Sequence, residues 1–326
     1  MTSDSEIPVW TDTSYPPLRG CWYLAGPTAS GKTGVGLELA ERVDGEIISL
    51  DSMAVYRGMD VGTAKPTLDE RQRVRHHLVD VVSPDQEFSL SHFMQASHEA
   101  VQDINDRKLQ AVFVGGTPLY LKSLLRGVVP GPPADWGFRR RIEAELVEVG
   151  AEALHQRLQQ VDPLAAAKLH PNDKRRIIRA LEVYRATGKP ISHDQIHFDD
   201  TPADGCQVFV LSWPREELHA RIETRVEAMF SEGLVDEVRN LLVKHEHFSR
   251  TAVQAVGYRE VVEFLNDERS LDETIELVKA RTRQFARRQL TWFRSLQECR
   301  WVEMEAEQQN SDVAERIVDI VNKQAR

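Results

Sequence analysis

Gly26-Pro27-Thr28-Ala29-Ser30-Gly31-Lys32-Thr33 satisfies the pattern G-x-x-x-x-G-K-[ST] at every fixed position. Such a match carries weight only when its flanks agree, and here both do. Cys21-Trp-Tyr-Leu-Ala25 precedes it, a short apolar run that reads as a buried strand. Val35, Leu37, Leu39, Ala40 and Val43 follow at helical spacing. Strand, glycine-rich loop and helix together make a phosphate-binding loop. Glycines let backbone N–H groups turn inward around an anion. The helix N-terminus adds unpaired donors and the positive end of its dipole. Lys32 supplies a full positive charge, and the Thr33 hydroxyl is a candidate ligand for Mg²⁺. The loop specifies a phosphate or diphosphate and leaves open what happens to it.

Outward from the loop, Glu46-Ile-Ile-Ser-Leu50 reads as a second buried strand ending at Asp51-Ser52. An acid at the C-terminal end of a strand in an open α/β sheet stands where ligands bind. Asp51 is therefore a candidate general base, with an outer-shell Mg²⁺ ligand or a helix cap as the plainer reading. Residues 53–66 read as an ordered loop across the same face. His77-Leu-Val-Asp-Val-Val82 reads as a third strand, closed by Ser83-Pro84. Ser89 caps a helix running to about Arg107, with Phe93, Ala96, Ala100, Val101 and Ile104 inside. Ala111-Val-Phe-Val114 is a fourth strand followed by Gly115-Gly116-Thr117, where a phosphate-loop ATPase usually carries an acid for Mg²⁺ and water. Pro118 opens the next helix, so Thr117 is either its cap or a ligand-facing hydroxyl.

Val129-Pro-Gly-Pro-Pro133 marks a boundary, beyond which strand signals cease. Helices are expected over 139–149, 151–161 and 172–187. The organisation is then a flexible tail (1–18), a core built from 19–132 and 201–326, and a helical insertion (133–200). Cys206–Trp213 returns to strand character, followed by helices over about 215–231, 233–245 and 257–266. A long helix over 270–297 opens on the capping box Ser270-Leu-Asp-Glu273. Arg300-Trp-Val302 reads as an edge strand and 310–324 as a final amphipathic helix.

A chain of 326 residues suits two domains, or one with a large insertion. With 28% charged and 41% hydrophobic residues it has the composition of a soluble globular protein. No apolar run is long enough to span a bilayer, and the N-terminus has no basic segment leading into an apolar one. Cys21, Cys206 and Cys299 lie far apart without metal spacing, which fits a reducing, cytoplasmic setting without a structural disulfide. Adjacent His76 and His77 point to opposite faces of a strand, and His245 and His247 lack an acidic or thiol partner, so no zinc site is expected. No coiled-coil pattern appears, and a monomer is expected.

The net charge of −10 argues mildly against a polyanionic partner. Two local groups argue the other way. Lys174, Arg175, Arg176 and Arg179 cluster on one predicted helix. The acid-free stretch 279–297 carries Lys279, Arg281, Arg283, Arg287, Arg288 and Arg294, interleaved with Phe285, Trp292 and Phe293. Either group alone fits a solvated helix face; both together fit a groove that tracks an RNA backbone. Arg259, in Val256-Gly-Tyr-Arg-Glu260, is either a clamp on a diphosphate or half of a surface ion pair.

An ordered set of motifs from about Leu24 to Trp292 resembles the bacterial tRNA dimethylallyltransferases, also called tRNA isopentenyltransferases. It comprises the phosphate loop, Asp51-Ser52, Tyr56-Arg-Gly-Met-Asp-Val-Gly-Thr-Ala-Lys-Pro66, His76-His77-Leu78 and Val114-Gly-Gly-Thr-Pro-Leu-Tyr120. It continues through Asp162-Pro163, Pro171-Asn-Asp173, Arg179-Ala-Leu-Glu-Val183, Gly257-Tyr-Arg259, Thr282-Arg-Gln284 and Arg288-Gln289. The resemblance implies an α/β fold, a P-loop NTPase-like parallel sheet flanked by helices, with an all-helical insertion domain. It implies transfer of a dimethylallyl group from dimethylallyl diphosphate to the exocyclic amine of the tRNA adenosine 3′-adjacent to the anticodon, assisted by Mg²⁺. By similarity Asp51 is the base, and Thr117 and Arg139 lie near the substrate or transition state. Residues 26–33 and Arg259 then hold the diphosphate. Asp51, Ser52, Met53 and Ala54, then Arg175, Arg176, Ile177, Ile178 and Arg179, then Lys279, Ala280, Arg281, Thr282, Arg283 and Gln284 fall on tRNA-contact segments. No protein partner is implied. Pro118 departs from the more usual apolar residue, and the C-terminus lacks the Cys/His zinc finger of some eukaryotic members. The rival readings are a nucleotide or small-molecule kinase, a non-enzymatic RNA-binding protein, and an adenylate isopentenyltransferase acting on free nucleotides.

Overall fold

The computed structural model describes residues 14–129, 131–193 and 205–324. The chain forms two compact units: Leu18–Leu125 with Pro202–Arg326, and Met1–Pro17 with Arg126–Thr201. In chain order the helices are α1 (Lys32–Arg42), α2 (Leu68–Arg73), α3 (Leu90–Asp106), α4 (Pro118–Arg126), α5 (Trp136–Val161), α6 (Pro163–Lys168), α7 (Lys174–Thr187), α8 (Arg215–Ser231), α9 (Leu234–Lys244), α10 (Tyr258–Leu265), α11 (Leu271–Arg294) and α12 (Asn310–Gln324).

The larger unit is built on one sheet of six strands, β1 (Trp22–Ala25), β2 (Gly45–Leu50), β3 (His76–His77), β4 (Gln110–Gly115), β5 (Gln207–Ser212) and β6 (Cys299–Glu303). Their order is β3-β2-β4-β1-β5-β6 and every pairing is parallel. Parallel sheets are covered on both faces, which is why these strands are apolar runs rather than alternating ones. On one face Leu24, Ile47, Val112 and Phe209 pack against Val35 and Leu39 of α1 and Val313 and Ile317 of α12. α3 lies against β2 and β4, and its Phe93 stacks on Tyr120 of α4 with ring centroids 3.8 Å apart. Met94 and Ser97, rather than Ala96, complete the buried side of α3.

Two expectations about this unit need correction. The third strand is two residues long, not six. Leu78 (φ 60°) and Asp80 (φ 57°) take left-handed backbone, which ends an extended run. Just beyond the loop over 53–66 lies α2, which is not among the expected helices although Thr67 and Glu70 form a complete capping box that the letters T-L-D-E announce. The two histidines do diverge: His77 Nε2 lies 2.6 Å from Glu46 Oε2, whereas His76 Nδ1 is 2.7 Å from the Val74 carbonyl.

The smaller unit is helical among its described residues, apart from a bridge between Tyr15 and Val128. Hydrogen bonds of 2.9 Å in both directions hold Tyr15 to Val128. Residues 1–13 and 194–204, where the rest of the tail and the return to the core were placed, lie outside the described residues. In α5 the helix is broken at Gly150 (φ 83°, ψ 167°), the point where two separate helices were expected. α6 was not expected. Asp162 caps it and also accepts Ser192 N–H, so one buried carboxylate joins two segments.

Phe138, Ile142, Leu154, Leu158, Ile177 and Leu181 fill the core of this unit. Its polar hub is Glu182, 2% exposed. That carboxylate accepts from Asp135 N at 2.7 Å, Arg139 Nε at 2.8 Å, Arg139 Nη2 at 2.7 Å and Arg179 Nη1 at 2.5 Å. Despite burial, which opposes it, these donors keep the Glu182 carboxyl below its usual range. Glu182→Ala leaves both guanidinium groups without their shared acceptor and is expected to cost about 3 kcal/mol. Thermal unfolding followed by circular dichroism checks this; an unchanged midpoint would show that the hub is dispensable.

Candidate active site

The larger unit gathers its functional side chains at the C-terminal ends of β1, β2, β4 and β5, where ligands sit in open α/β sheets. The loop after β1 turns into α1 at Gly31, whose φ of 85° is left-handed and suits glycine. Two outward-facing carbonyls of this loop are pinned from behind. Trp213 Nε1 donates to Ser30 O at 2.9 Å and Arg221 Nε donates to Ala29 O at 2.8 Å, with the Arg221 guanidinium 4.3 Å from the Trp213 ring centroid. Buried Gln289 of α11 joins two strand ends: its Oε1 accepts from Thr28 N at 2.9 Å and its Nε2 donates to Gly116 O at 2.6 Å. Gly115, which ends β4, and Gly116, which follows it, leave no room for a side chain. A side chain at Gly115 would come within 2.2 Å of Leu50 O, and one at Gly116 within 2.6 Å of Gln289 Nε2.

Lys32, Thr33, Ser49, Asp51 and residues 63–66 line one cavity. Burial, and then the like charge of Arg225, pull the Lys32 ammonium down to about 8, against the opposing pull of Asp51. Asp51 Oδ1 accepts Met53 N–H at 2.8 Å, which orients the carboxylate just beyond β2. Thr117 Oγ1 accepts Ser52 N–H at 3.1 Å and lies 3.4 Å from Ser52 Oγ, so the ends of β2 and β4 are tied beside Asp51.

Arg225 of α8 was not anticipated. Burial lowers its pKa while the charge of Asp51 raises it, and its Nε is shut off from solvent without an acceptor. Its Nη2 donates to Thr63 O at 3.4 Å. The signal was present: Leu218, Ile222 and Val226 form the buried stripe of α8, and Arg221 and Arg225 flank it at helical spacing. Arginines on the margin of an apolar stripe mark a charge aimed inward.

Arg259 stands in a different setting. Its side chain is 61% exposed and its Nε is 2.9 Å from Glu263 Oε1, one turn along α10. Exposed i,i+4 pairs of this kind are surface features, and of the two readings the ion pair is the one seen. The other named residues divide in the same way. Arg139 and Arg179 are bound to Glu182 in the helical unit. Ile177, Ile178 and Ala54 are buried by packing and present no side chain to a macromolecule. Arg175 and Arg176 lie on the exposed side of α7, with Arg176 paired to Asp173.

The basic helix α11 carries less free charge than its letters suggest. Lys279 pairs with Glu227 and Glu276, Arg281 with Glu260, and Arg283 with Glu223. Thr282 turns back to bond the Val278 carbonyl. Arg287, Arg288 and Arg294 make no ion pair among the described residues; Arg288 lies over Phe285 and Arg294 over Trp301. The unneutralised charge thus sits one to three turns further along. There a cleft of about 590 Å³ is walled by Arg215, Arg283, Gln284, Arg287 and Arg294 over Trp213, Leu218 and Leu290.

No group of three or more His, Cys, Asp or Glu that could hold a metal occurs among the described residues. Nor is any described helix long and apolar enough to cross a membrane.

A phosphate loop facing a carboxylate, with a second cation behind it, is shared by several kinds of transferase, and comparison with known proteins narrows the choice. The family model described as IPP transferase matches residues 54–296. A tRNA dimethylallyltransferase of Rhodopirellula baltica is 52% identical over 287 residues, covering 85% of this chain and 86% of that one. One from Geobacter metallireducens is 49% identical over 282 residues, covering 86% and 91%. The crystal structure of a tRNA isopentenylpyrophosphate transferase from Bacillus halodurans matches with a TM-score of 0.68 at 37% identity, covering 94% and 97%. That of a eukaryotic dimethylallyltransferase acting on tRNA matches with a TM-score of 0.76 at 27% identity, covering 94% and 80%. With this family model matching residues 54–296 and relatives about half identical over most of its length, the chain belongs to the IPP transferase family.

Proposed function

We propose that this protein transfers the dimethylallyl group of dimethylallyl diphosphate to the exocyclic amine of the adenosine 3′-adjacent to the anticodon of tRNA, releasing diphosphate. The observation that carries the reading is a carboxylate among cations: Lys32 and Asp51 line one cavity beside the phosphate loop, and the charge of Asp51 acts on both Lys32 and the buried Arg225. Cations stabilise the charge that grows on a departing diphosphate, and a carboxylate takes the proton that the attacking amine loses.

The allylic C–O bond breaks toward the diphosphate, and the adenine nitrogen forms the new bond to that carbon. Its lone pair is delocalised into the ring, so holding the amine in line with the carbon supplies much of the rate. Asp51, oriented by Met53 N–H, accepts the proton. The Ser52–Thr117 link holds the adjacent backbone beside the reacting amine. The adenine must leave its stack to reach the site. The Thr33 hydroxyl is a hard oxygen donor on the cavity wall, a residue type that fits Mg²⁺, which keeps several waters and is held largely by substrate phosphates. Bound there, Mg²⁺ would neutralise diphosphate charge.

For the tRNA, we assign the exposed side of α7 around Arg175 and Arg176 and the segments 51–53 and 279–284, while Thr117 and Arg139 keep the place near the substrate that the resemblance implies. On α11 the contact is extended to Arg287, Arg288 and Arg294, which make no ion pair among the described residues. A cytoplasmic setting is where such a substrate would be met.

Incubation with tRNA and either labelled dimethylallyl diphosphate or γ-labelled ATP, followed by mass analysis of the nucleosides, tests the reading. One dimethylallyl group on adenosine is expected. Transfer of phosphate alone would sink it in favour of a kinase, and modification of free nucleotides only would point to the adenylate enzymes. The pH profile gives a second check. With the Lys32 ammonium at about 8, kcat/KM for dimethylallyl diphosphate should fall as pH rises through that value, since this ratio reports the free enzyme. A profile flat to about pH 9 would contradict the role given to Lys32.

A further inference from the structure

Glu237 of α9 has no part in the account so far, yet it is the most heavily hydrogen-bonded carboxylate near the cavity wall. Its Oε2 accepts from Asp60 N at 2.9 Å and Val61 N at 2.8 Å. Its Oε1 accepts from Gly62 N at 3.4 Å and from the Tyr258 hydroxyl at 2.5 Å. Three successive backbone N–H groups turned to one side form a concavity for an anion, and here the chain supplies the anion itself. Burial, then the charge of Glu237, hold the Tyr258 phenol protonated as the fourth donor. The fit is tight: a side chain at Gly62 would come within 2.5 Å of the Tyr258 ring.

The clamped segment leads straight into the cavity wall. Thr63, Ala64, Lys65 and Pro66 line it opposite Lys32 and Asp51. Thr63 O is the acceptor for Arg225 Nη2, and Arg225 Nε has none. The placement of Arg225 therefore depends on where Thr63 O is held. Thr63 is fixed by its own Oγ1 to Met59 O at 2.6 Å and, through residues 60–62, by Glu237.

We propose that Glu237 is a positioning residue of the diphosphate site: by clamping residues 60–62 it holds the Thr63 carbonyl that aims Arg225 at the leaving group. The proposal rests on the reading of the cavity as a diphosphate site. Glu237→Gln keeps the size but places an amide NH₂ group against backbone N–H donors. It is expected to raise KM for dimethylallyl diphosphate, and the dissociation constant of inorganic pyrophosphate measured by titration calorimetry, by about tenfold, as for partners that orient a binding group. KM for tRNA should stay unchanged.

A double-mutant cycle separates this from general destabilisation. In an Arg225→Gln background, Glu237→Gln should add little to the loss of pyrophosphate affinity. Additive effects, or parallel changes in both substrates' KM, would overturn the proposal. If Glu237→Gln does not fold, Glu237→Asp, which withdraws the carboxylate by one methylene, should show the same selective loss, and its absence would count equally against it. Pyrophosphate binding needs no turnover. A wild-type protein that binds pyrophosphate yet transfers no prenyl group would therefore refute the assigned reaction while leaving the clamp to be judged by the cycle.

Discussion

Asp51→Ala is expected to lower the rate of prenyl transfer by about 10²-fold or more, the usual range for a lost general base, while tRNA binds as before. Asp51 stands at the end of β2 and lines the cavity with Lys32 and Thr33. Its carboxylate Oδ1 accepts the backbone N–H of Met53. Asp51→Asn preserves the Met53 bond and removes the basicity, so it should be nearly as slow. Single-turnover rates with saturating tRNA, beside filter-binding affinities, decide the matter. Turnover near wild type would remove Asp51 as the base, and recovery of the Asp51→Asn variant at high Mg²⁺ would reassign it to holding the metal.

Arg225→Gln is expected to reduce kcat/KM for dimethylallyl diphosphate by about 10²- to 10³-fold, the scale of a donor lost from a site where charge develops. Arg259→Ala should change it by less than about threefold, because an exposed i,i+4 pair contributes little. The contrast matters more than either number. Both residues are arginines on C-terminal helices. They differ in that the charge of Asp51 acts on one, whereas the other spans a helical turn to Glu263 in solvent. Steady-state kinetics with the two variants side by side checks it. Equal losses would restore Arg259 to the site, and a silent Arg225→Gln would remove the second cation from the mechanism.

Much of this arrangement is legible in the letters because it is local. The run from Cys21 to Val43 contains its own strand, turn and helix, and β2, β4 and β5 are apolar runs bounded by turn residues. Ser270 and Glu273 announce the start of α11 and form the capping box there. The break at Gly150 follows from a glycine with left-handed backbone between two helical patterns. Where reading fails, the deciding contact is distant in sequence. The short β3 depends on positive φ at Leu78, a residue that carries no such signal, and at Asp80, whose type only tolerates it. Half the bases of α11 are neutralised by Glu223, Glu227 and Glu260, acids on other helices that a count along 279–297 never meets.

The sequence by itself determined the phosphate loop, the acid after the second strand, the glycines after the fourth and the family, since each is written in consecutive residues whose conformation is governed by neighbours. Only the tertiary structure decided which cations accompany Asp51 and which merely decorate the surface. Charge acts through space and is screened by solvent, so the same letter contributes at Arg225, where its Nε is shut off from water, and little at Arg259, where water surrounds it. Burial separates the two, and burial is a property of the packed chain.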